Sequence, residues 1–348
     1  MAFNPTLLTL VREYRGLSQA DLAEHSGLSQ GYLSKIENRL LEPSDDAVEK
    51  LAETLGWPAS FFARGDTVYG FATACMYHRK RAALSVHALR QVQAQVNVLR
   101  ISIIPLLRDM VISGQNRMPT MDIDAYDGDA AQVAQLVRAS WRLPLGPIES
   151  MVATVESAGA LVYRLDFGTR LLDAVSHWSP DMPPLFFMSE VAPPDRLRFS
   201  MAHELGHVIM HSVPTRNMEK EADEFAAEFL MPAREIAPAL RGIDLASAAQ
   251  LKAYWRVAMS ALIRRARDLD CITPKRASHL FMQMSSLGYR TVEPVVLDEE
   301  RASLPSRIVD VQQRQHGYTI DELIRASDLP LEIGAFHEIV RPALRALK

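Results

Sequence analysis

Apolar residues recur along most of the chain at intervals of three and four positions, which is the period of an amphipathic helix. Between Gly159 and Glu190 the period changes to two, as expected for half-buried strands. The strand-like runs are Ala160–Leu165, Ala174–Trp178 and Leu185–Ser189. The pattern therefore predicts an α+β fold that is mostly α, with one small antiparallel or mixed sheet in the middle of the chain.

The longest helical pattern runs from Ala82 to Ser113, and Pro105 is expected to kink it. Its apolar positions form a narrow seam, made of Leu89, Val92, Val96, Leu99 and Ile103. Such a seam is either part of the core or a contact between two copies of the chain.

Residues 7–62 read as four or five short helices. Ser18 and Ser29 each stand where an N-cap is expected, and Gly27 between them can supply a left-handed turn. Two short helices joined by a glycine-containing turn form a helix-turn-helix. The apolar residues spaced to pack the pair are Leu22, Ala23, Leu28, Leu33 and Ile36.

The strongest chemical signal is the run His203-Glu204-Leu-Gly-His207. Histidines four apart on a helix share one face, where both imidazoles can bind one zinc ion. Glu204 lies beside them and can accept a proton from the attacking water. This is the HExxH signature of metallopeptidases, and zinc is the expected cofactor.

A second helical segment, Glu219–Leu230, is stopped by Pro232. Glu219 on this segment can complete three protein ligands, which leaves one zinc position open. Asp223, one turn later, can accept the other ring N–H of a ligand histidine. Glu221 is a competing third ligand, but its position two residues away points it off the shared face.

Two further histidines are candidates for contacting the substrate or its oxyanion. His211 extends the row of His203 and His207, although it is equally a plain helix-face histidine. His177, at the end of the second strand-like run, is a candidate for stabilising a tetrahedral oxyanion. An edge strand of the predicted sheet can hold an extended substrate peptide by β-augmentation.

These two helical segments resemble the ImmA/IrrE family of zinc metallopeptidases. The family motif pairs HELGH with a second run that here reads Glu219-Lys-Glu-Ala-Asp-Glu-Phe-Ala-Ala-Glu-Phe-Leu-Met-Pro232, departing from the family only at Phe229. The resemblance covers roughly residues 70–290. It implies a gluzincin-like fold in which His203, His207 and Glu219 hold zinc and Glu204 is the base. It also implies activity against helix-turn-helix repressors.

The N-terminal pattern resembles the Xre, or lambda-repressor-like, family over Leu7–Phe62, through LSQADLA and GLSQGYLSKIEN. In that family the second helix of the motif enters the major groove of DNA. The resemblance places Gln30, Tyr32, Ser34 and Lys35 at the bases, and Gln19 at a backbone phosphate. Arg39 stands where the family usually has glycine, so it either adds a phosphate contact or tolerates a left-handed conformation.

Charge is unevenly distributed around a total of −4. Residues 1–65 hold six Lys/Arg against nine Asp/Glu, a net of −3, whereas residues 66–117 hold seven against two, a net of +5. The basic run His78-Arg79-Lys80-Arg81 contributes to this second segment and is either a DNA-facing surface or a solvated helix start. The net negative charge of the first segment gives only weak electrostatic attraction to DNA, which leaves open a helix-turn-helix that docks a protein rather than DNA.

The remaining composition is that of a globular protein with two or three domains. No apolar run reaches membrane-spanning length and no leader opens the chain, so we expect a cytoplasmic protein without a membrane partner. Cys75 and Cys271 form no CxxC pair and are expected to be core residues.

We therefore predict four regions: a DNA-binding helix-turn-helix (1–65), a basic linker and long helix (66–118), a zinc peptidase domain (119–235) and a helical C-terminal domain (236–348). Because repressor-type modules usually bind DNA as dimers, the apolar seam is interpreted as a contact of a homodimer. The predicted function is a transcriptional regulator that cleaves a repressor, or itself, with its own zinc endopeptidase. The alternative is a repressor or antitoxin whose zinc site is sensory or structural.

Overall fold

The computed structural model describes residues 3–70, 84–108, 114–179, 182–213 and 215–328, with the single positions 110, 112 and 330. The predicted basic run 78–81 and Cys75 lie outside the described residues. Within the described ranges, no helix combines the length and the apolar character that crossing a membrane requires. Cys271 is half-buried.

The N-terminal region consists of four α-helices followed by a 3₁₀ helix at Ala59–Ala63. The α-helices are α1 (Pro5–Tyr14), α2 (Gln19–Ser26), α3 (Gln30–Glu37) and α4 (Asp45–Leu55). Ser18 and Ser29 cap α2 and α3 as predicted, and Gly27 adopts φ +68° between them. The predicted helix-turn-helix is therefore present.

The middle of the chain contains α5 (Val86–Ile103), α6 (Ala130–Ser140) and α7 (Met151–Ser157), with 3₁₀ helices at Ile104–Leu107 and Ile123–Tyr126. Ser85 caps α5, and the α-helix ends at Ile103. Pro105 lies in the 3₁₀ helix that follows, because proline removes the N–H that would continue the α-helical ladder. α5 is thus shorter than the predicted helix.

The three predicted strands form one mixed sheet, as the alternating pattern indicated. Its strands are β1 (Leu161–Leu165), β2 (Ala174–His177) and β3 (Leu185–Ser189), in the order β1-β3-β2. β1 pairs with β3 in parallel, and β2 pairs with β3 antiparallel. β2 is therefore an edge strand of the sheet.

After the sheet the described chain is helical, as predicted. The helices are α8 (Pro194–Met210), α9 (Met218–Leu230), α10 (Ala233–Leu240), α11 (Leu245–Trp255), α12 (Met259–Asp268), α13 (Pro274–Ser286), α14 (Leu304–His316) and α15 (Ile320–Ser327). α8 packs on one face of the sheet and on α9, within a core that also includes α6, α7, α12 and α13.

The opposite face of the sheet packs on α5. The seam residues Val92, Val96, Leu99 and Ile103 share a core with β1, β3, α14 and α15. Ala94, Val98 and Ile101 point the other way, into the core of the helix-turn-helix region. The interpretation of the seam as a dimer contact is therefore wrong, because the sheet of the same chain already covers it.

Candidate metal centre and nucleic-acid interface

The candidate metal centre lies where α8 and α9 pack closely against each other. Gly206 allows this approach, since a Cβ built at that position would lie 3.1 Å from Cδ1 of Phe225 and 3.3 Å from its Cβ. Phe225 is fully buried, so it has little room to move. The glycine thereby brings the start of α9 alongside the histidines of α8.

Three donor atoms converge between the two helices. Nε2 of His203 lies 3.1 Å from Nε2 of His207, and Oε1 of Glu219 lies 3.4 Å from Nε2 of His207. Oε2 of Glu219 lies 3.8 Å from Nε2 of His203. One donor atom from each residue lies within 4.8 Å of the other two. His207 is fully buried, whereas His203 and Glu219 stay partly exposed, so the group opens toward solvent on one side.

Each histidine of the group is held through Nδ1, on the side of its ring away from Nε2. Nδ1 of His203 lies 2.9 Å from Oδ1 of Asp223, and a carboxylate there requires the proton on Nδ1. The Nε2 lone pair of His203 is consequently directed toward the other two donor atoms.

A longer chain of contacts orients His207. Nδ1 of His207 lies 2.9 Å from Nδ1 of His211, and Nε2 of His211 lies 2.9 Å from Oε2 of Glu221. Because the carboxylate of Glu221 can only accept, His211 donates from Nε2 and accepts at Nδ1. His207 must then donate from Nδ1, which leaves its Nε2 with a lone pair. Glu221 thus acts behind the donor group rather than within it.

His211 does not face a cleft where a substrate could reach it. Its side chain is fully buried between His207 and Glu221. Burial, followed by the neighbouring His207, lowers the pKa of His211 to about 4, so the ring is neutral at pH 7. The prediction that His211 contacts substrate is therefore wrong. His211 continues the row of histidines beyond the donor group. Spacing along the helix does not show whether its ring lies on the open side of His207 or is buried behind it.

Glu204 projects from α8 toward the edge strand of the sheet. Its Oε2 accepts hydrogen bonds from the backbone N–H of Ser176, at 3.0 Å, and from the Ser176 hydroxyl, at 2.8 Å. Within the described part of the chain, Oε1 of Glu204 accepts no hydrogen bond. One carboxylate oxygen is thus fixed and the other is available. Ser176 carried no sequence signal for this contact.

The strand places His177 on the opposite face of the sheet from Ser176. The ring of His177 lies 5.3 Å from the ring of Tyr69, which in turn stacks under the guanidinium of Arg100. Burial, aided by Arg100, lowers the pKa of His177 to about 4. The predicted oxyanion role of His177 is wrong, because the residue faces α5 rather than the metal group.

The predicted DNA-contacting residues differ in exposure. Gln30 and Lys35 are exposed on α3, whereas the ring of Tyr32 packs against the N-terminal core and its hydroxyl accepts the Ser44 N–H. Ser34 is half-buried and accepts a 2.7 Å bond from the Asn38 amide at its carbonyl. Gln30 and Lys35 therefore present the side chains best able to reach outward.

Gln19 stands at the start of α2, beside an internal ion pair. Its amide donates to Oε2 of Glu37 at 2.7 Å, and Arg12 donates to Oε1 of the same carboxylate at 2.6 Å. Glu37 is thus structural. Arg39 adopts φ +60° and donates to the Thr6 hydroxyl at 2.9 Å, so the left-handed conformation is tolerated at that position.

Two known families match separate parts of this chain. Residues 155–267 match the family described as the IrrE N-terminal-like domain, a peptidase family, and residues 9–62 match the helix-turn-helix family. The chain therefore carries a helix-turn-helix region and, further along, a region similar to the IrrE-like peptidase family. The IrrE-like match is narrower than the resemblance inferred from the sequence, and it contains the sheet, α8 and α9. No curated protein matches this chain.

Proposed function

We propose that the IrrE-like domain is a zinc-dependent endopeptidase and that the helix-turn-helix directs the protein to DNA. The observation that carries the proposal is the convergence of two imidazole nitrogens and one carboxylate beside Glu204. A tetrahedral zinc ion with Zn–N distances of about 2.0–2.1 Å holds its ligand atoms roughly 3.4 Å apart. The donor separations of 3.1, 3.4 and 3.8 Å around His203, His207 and Glu219 fit that requirement.

The protein residues around this site have distinct tasks. A bound zinc ion would supply Lewis-acid polarisation of the scissile carbonyl. Glu204, held at Oε2 by Ser176, would use Oε1 to accept the proton of the attacking water and return it to the leaving amine. Asp223 and His211 would keep the two ligand rings in the tautomers that leave Nε2 free.

The edge strand offers a place for the substrate backbone. Ser189 donates to the carbonyl of Asp173, so alternate residues of β2, beginning with Asp173, turn their backbone groups toward β3. Ala174 turns its backbone groups to the outer edge, whereas the N–H of Ser176 on the same edge already donates to Glu204. In an extended substrate peptide paired with this edge of β2, the scissile carbonyl would lie beside the donor group of His203, His207 and Glu219.

The endopeptidase proposal is tested with Glu204→Gln, which keeps the shape of the side chain and removes its basicity. The variant should retain zinc after reconstitution, because Glu204 lies outside the donor group. Cleaved protein termini found in cells with the natural protein should be lost in cells with the variant. Glu224→Gln on α9, where the side chain is 45% exposed, is the matched control. Unaltered cleavage by a zinc-loaded Glu204→Gln protein would refute the proposal.

We further propose that the helix-turn-helix reads DNA through Gln30 and Lys35, with Gln19 at a backbone phosphate. Both α3 residues are exposed at the helix that enters the major groove in this type of motif. Gln30 has the geometry to pair with adenine, and Lys35 can donate to guanine or phosphate. Operator DNA selected from a random duplex library should bind the Gln30→Ala protein about 5- to 150-fold more weakly. If the Gln30→Ala protein binds the selected sequences as tightly as the natural protein does, the proposal that α3 reads the base sequence through Gln30 is refuted.

The substrate class follows from the fusion of the two domains. A peptidase carried by a DNA-binding protein is delivered to promoters, where helix-turn-helix repressors are bound. We propose such a repressor, in trans or as the chain itself, as the substrate, and a homodimer as the DNA-bound form. The apolar seam of α5 is not the dimer surface, since it is buried within one chain.

A second candidate is a DNA-binding regulator whose metal site is sensory or structural. It is favoured by the two hydrogen bonds that tie Glu204 to Ser176, because they give the carboxylate a structural role. In that case zinc binding would alter DNA affinity, and Glu204→Gln would leave gene regulation unchanged.

A further inference from the structure

The first turns of α5 lie beside the helix-turn-helix. They border a groove whose other wall is formed by α1 and by the start of α2 and α3. His87 and Arg90 line it from α5, while Gln19 and Gln30 line it from the helix-turn-helix. We call this feature the α5 groove. The α5 groove therefore places Gln19 and Gln30, which are proposed to contact DNA, opposite α5, which lies outside the residues that match the helix-turn-helix family.

The position of α5 relative to the helix-turn-helix is fixed by packing. Ala94, Val98 and Ile101 are buried in the N-terminal core, and the amide of Gln91 donates to the carbonyl of Tyr14 at 3.5 Å. His87 and Arg90 lie within two turns of Gln91 and Ala94 on the same helix. Their distance from α2 is therefore set by the fold.

The charges in the α5 groove leave Arg90 available. The carboxylate of Glu37 is already occupied by Arg12 and Gln19. Burial raises the pKa of Glu13, and the nearby cations Arg12, Arg90 and His87 oppose that rise. Arg90 is exposed, and among the described residues it forms no hydrogen bond or ion pair.

We propose that Arg90, with His87 beside it, binds a phosphate of the same DNA duplex that α3 reads, so that α5 forms part of the DNA interface. The inference rests on the proposed DNA binding and extends it beyond the helix-turn-helix. The proposal also explains how a helix-turn-helix region with a net negative charge can bind DNA. Residues 1–65 carry a net charge of −3, whereas α5 contains no acidic residue and exposes Arg90. Phosphate neutralisation supplies most of the sequence-independent affinity for DNA, so a cation on α5 would compensate for the charge of the helix-turn-helix region.

The test measures how DNA affinity depends on salt. A labelled duplex of about 30 mixed-sequence base pairs, roughly three helical turns, is titrated with the full chain at several salt concentrations. Arg90→Ala should weaken binding about 3- to 10-fold and reduce the slope of log K against log [salt] by about 1. Arg90→Lys should restore most of the slope. Arg314→Ala, which removes an exposed arginine from α14, is the matched control and should change neither quantity.

The outcomes separate the two proposals. If the natural protein binds the duplex and Arg90→Ala behaves like Arg314→Ala, the α5 contact is refuted while DNA binding stands. If the natural protein does not bind duplex DNA even at low salt, both the DNA-binding proposal and this inference are overturned. A loss with Arg90→Ala that Arg90→Lys does not restore would also overturn it, because a phosphate contact requires the charge.

Discussion

At the scale of single residues, hydrogen bonds behind the donor group decide what each histidine can do. Asp223 fixes His203, and the pair His211 and Glu221 fixes His207, each through Nδ1. The sequence alone makes His211 a candidate substrate contact and Glu221 a competing third ligand. Their contacts give them instead the task of orienting His207.

This arrangement predicts that His211 contributes to zinc affinity without touching zinc. His211→Phe keeps an aromatic ring in the buried position and removes the acceptor for the His207 N–H. We expect zinc affinity to fall about 10- to 100-fold, as is typical when a partner of a ligand histidine is lost. Competition with a chromogenic chelator measures the change. His279→Phe, an exposed change on α13, should leave the affinity intact, and equal values for both variants would contradict the assignment.

His177 predicts a dependence of stability on pH. Its pKa is lowered by burial, and further by Arg100, to about 4 in the folded protein, against roughly 6.5 when unfolded. The unfolded chain therefore takes up the proton first as pH falls, so stability is full above about 6.5 and declines toward about 4. Denaturant unfolding at several pH values should show a smaller decline for His177→Phe. An equal decline would show that His177 is not held neutral.

At the scale of elements, the packing of α8 on α9 determines whether the metal group can form. The two histidines come from α8 and the carboxylate from α9, so their separation depends on the distance between the helix axes. Gly206 sets that distance against Phe225. The close approach explains physically why a glycine, otherwise unfavourable inside a helix, stands between the two histidines.

Gly206→Ala should therefore damage the metal site more than a typical helix substitution. Crowding against Phe225 costs about 1–3 kcal/mol, which the better helix propensity of alanine offsets by about 1 kcal/mol. The displacement of α9 moves Glu219, so we expect weaker zinc binding together with a lower melting temperature. Gly31→Ala is the matched control, because a Cβ there meets no atom within 4 Å and should not destabilise the protein. If Gly206→Ala binds zinc as tightly as the natural protein does, the position of Glu219 does not depend on the close approach of α8 and α9 at Gly206.

At the scale of the whole molecule, α5 joins the two functional regions. One face of the helix is buried with the sheet and the other with the helix-turn-helix. A second connection lies at the end of α15, where the guanidinium of Arg64 donates to the carbonyl of Ser327 at 3.2 Å and lies 3.5 Å from Asp328. The helix-turn-helix is thus docked on the rest of the chain rather than tethered to it.

Because α5 contributes to both cores, we expect the helix-turn-helix region and the sheet region to unfold together. Leu99→Ala opens a cavity on the sheet side of α5, and Ile101→Ala opens one on the helix-turn-helix side. Each should cost about 2–5 kcal/mol, as buried aliphatic truncations do. Calorimetry should show both variants lowering the same heat-absorption peak. Two peaks, each sensitive to only one of the variants, would mean that the regions unfold independently.

The sequence by itself determined the features that depend on neighbours along the chain. Serine caps and Gly27 defined the helix-turn-helix, a period of two located all three strands, and the spacing of His203 and His207 put both on one face of α8. These features follow from local backbone geometry, which a pattern of a few residues specifies.

Only the tertiary structure decided the features that depend on what packs against each face. It buried the α5 seam under the sheet, turned His177 toward Tyr69, placed His211 behind His207 and brought Ser176 to Glu204. Spacing gives the face on which a side chain lies, but it does not give the partner that covers that face. That partner comes from residues far away in the sequence, whose approach is set by the packing of the complete core.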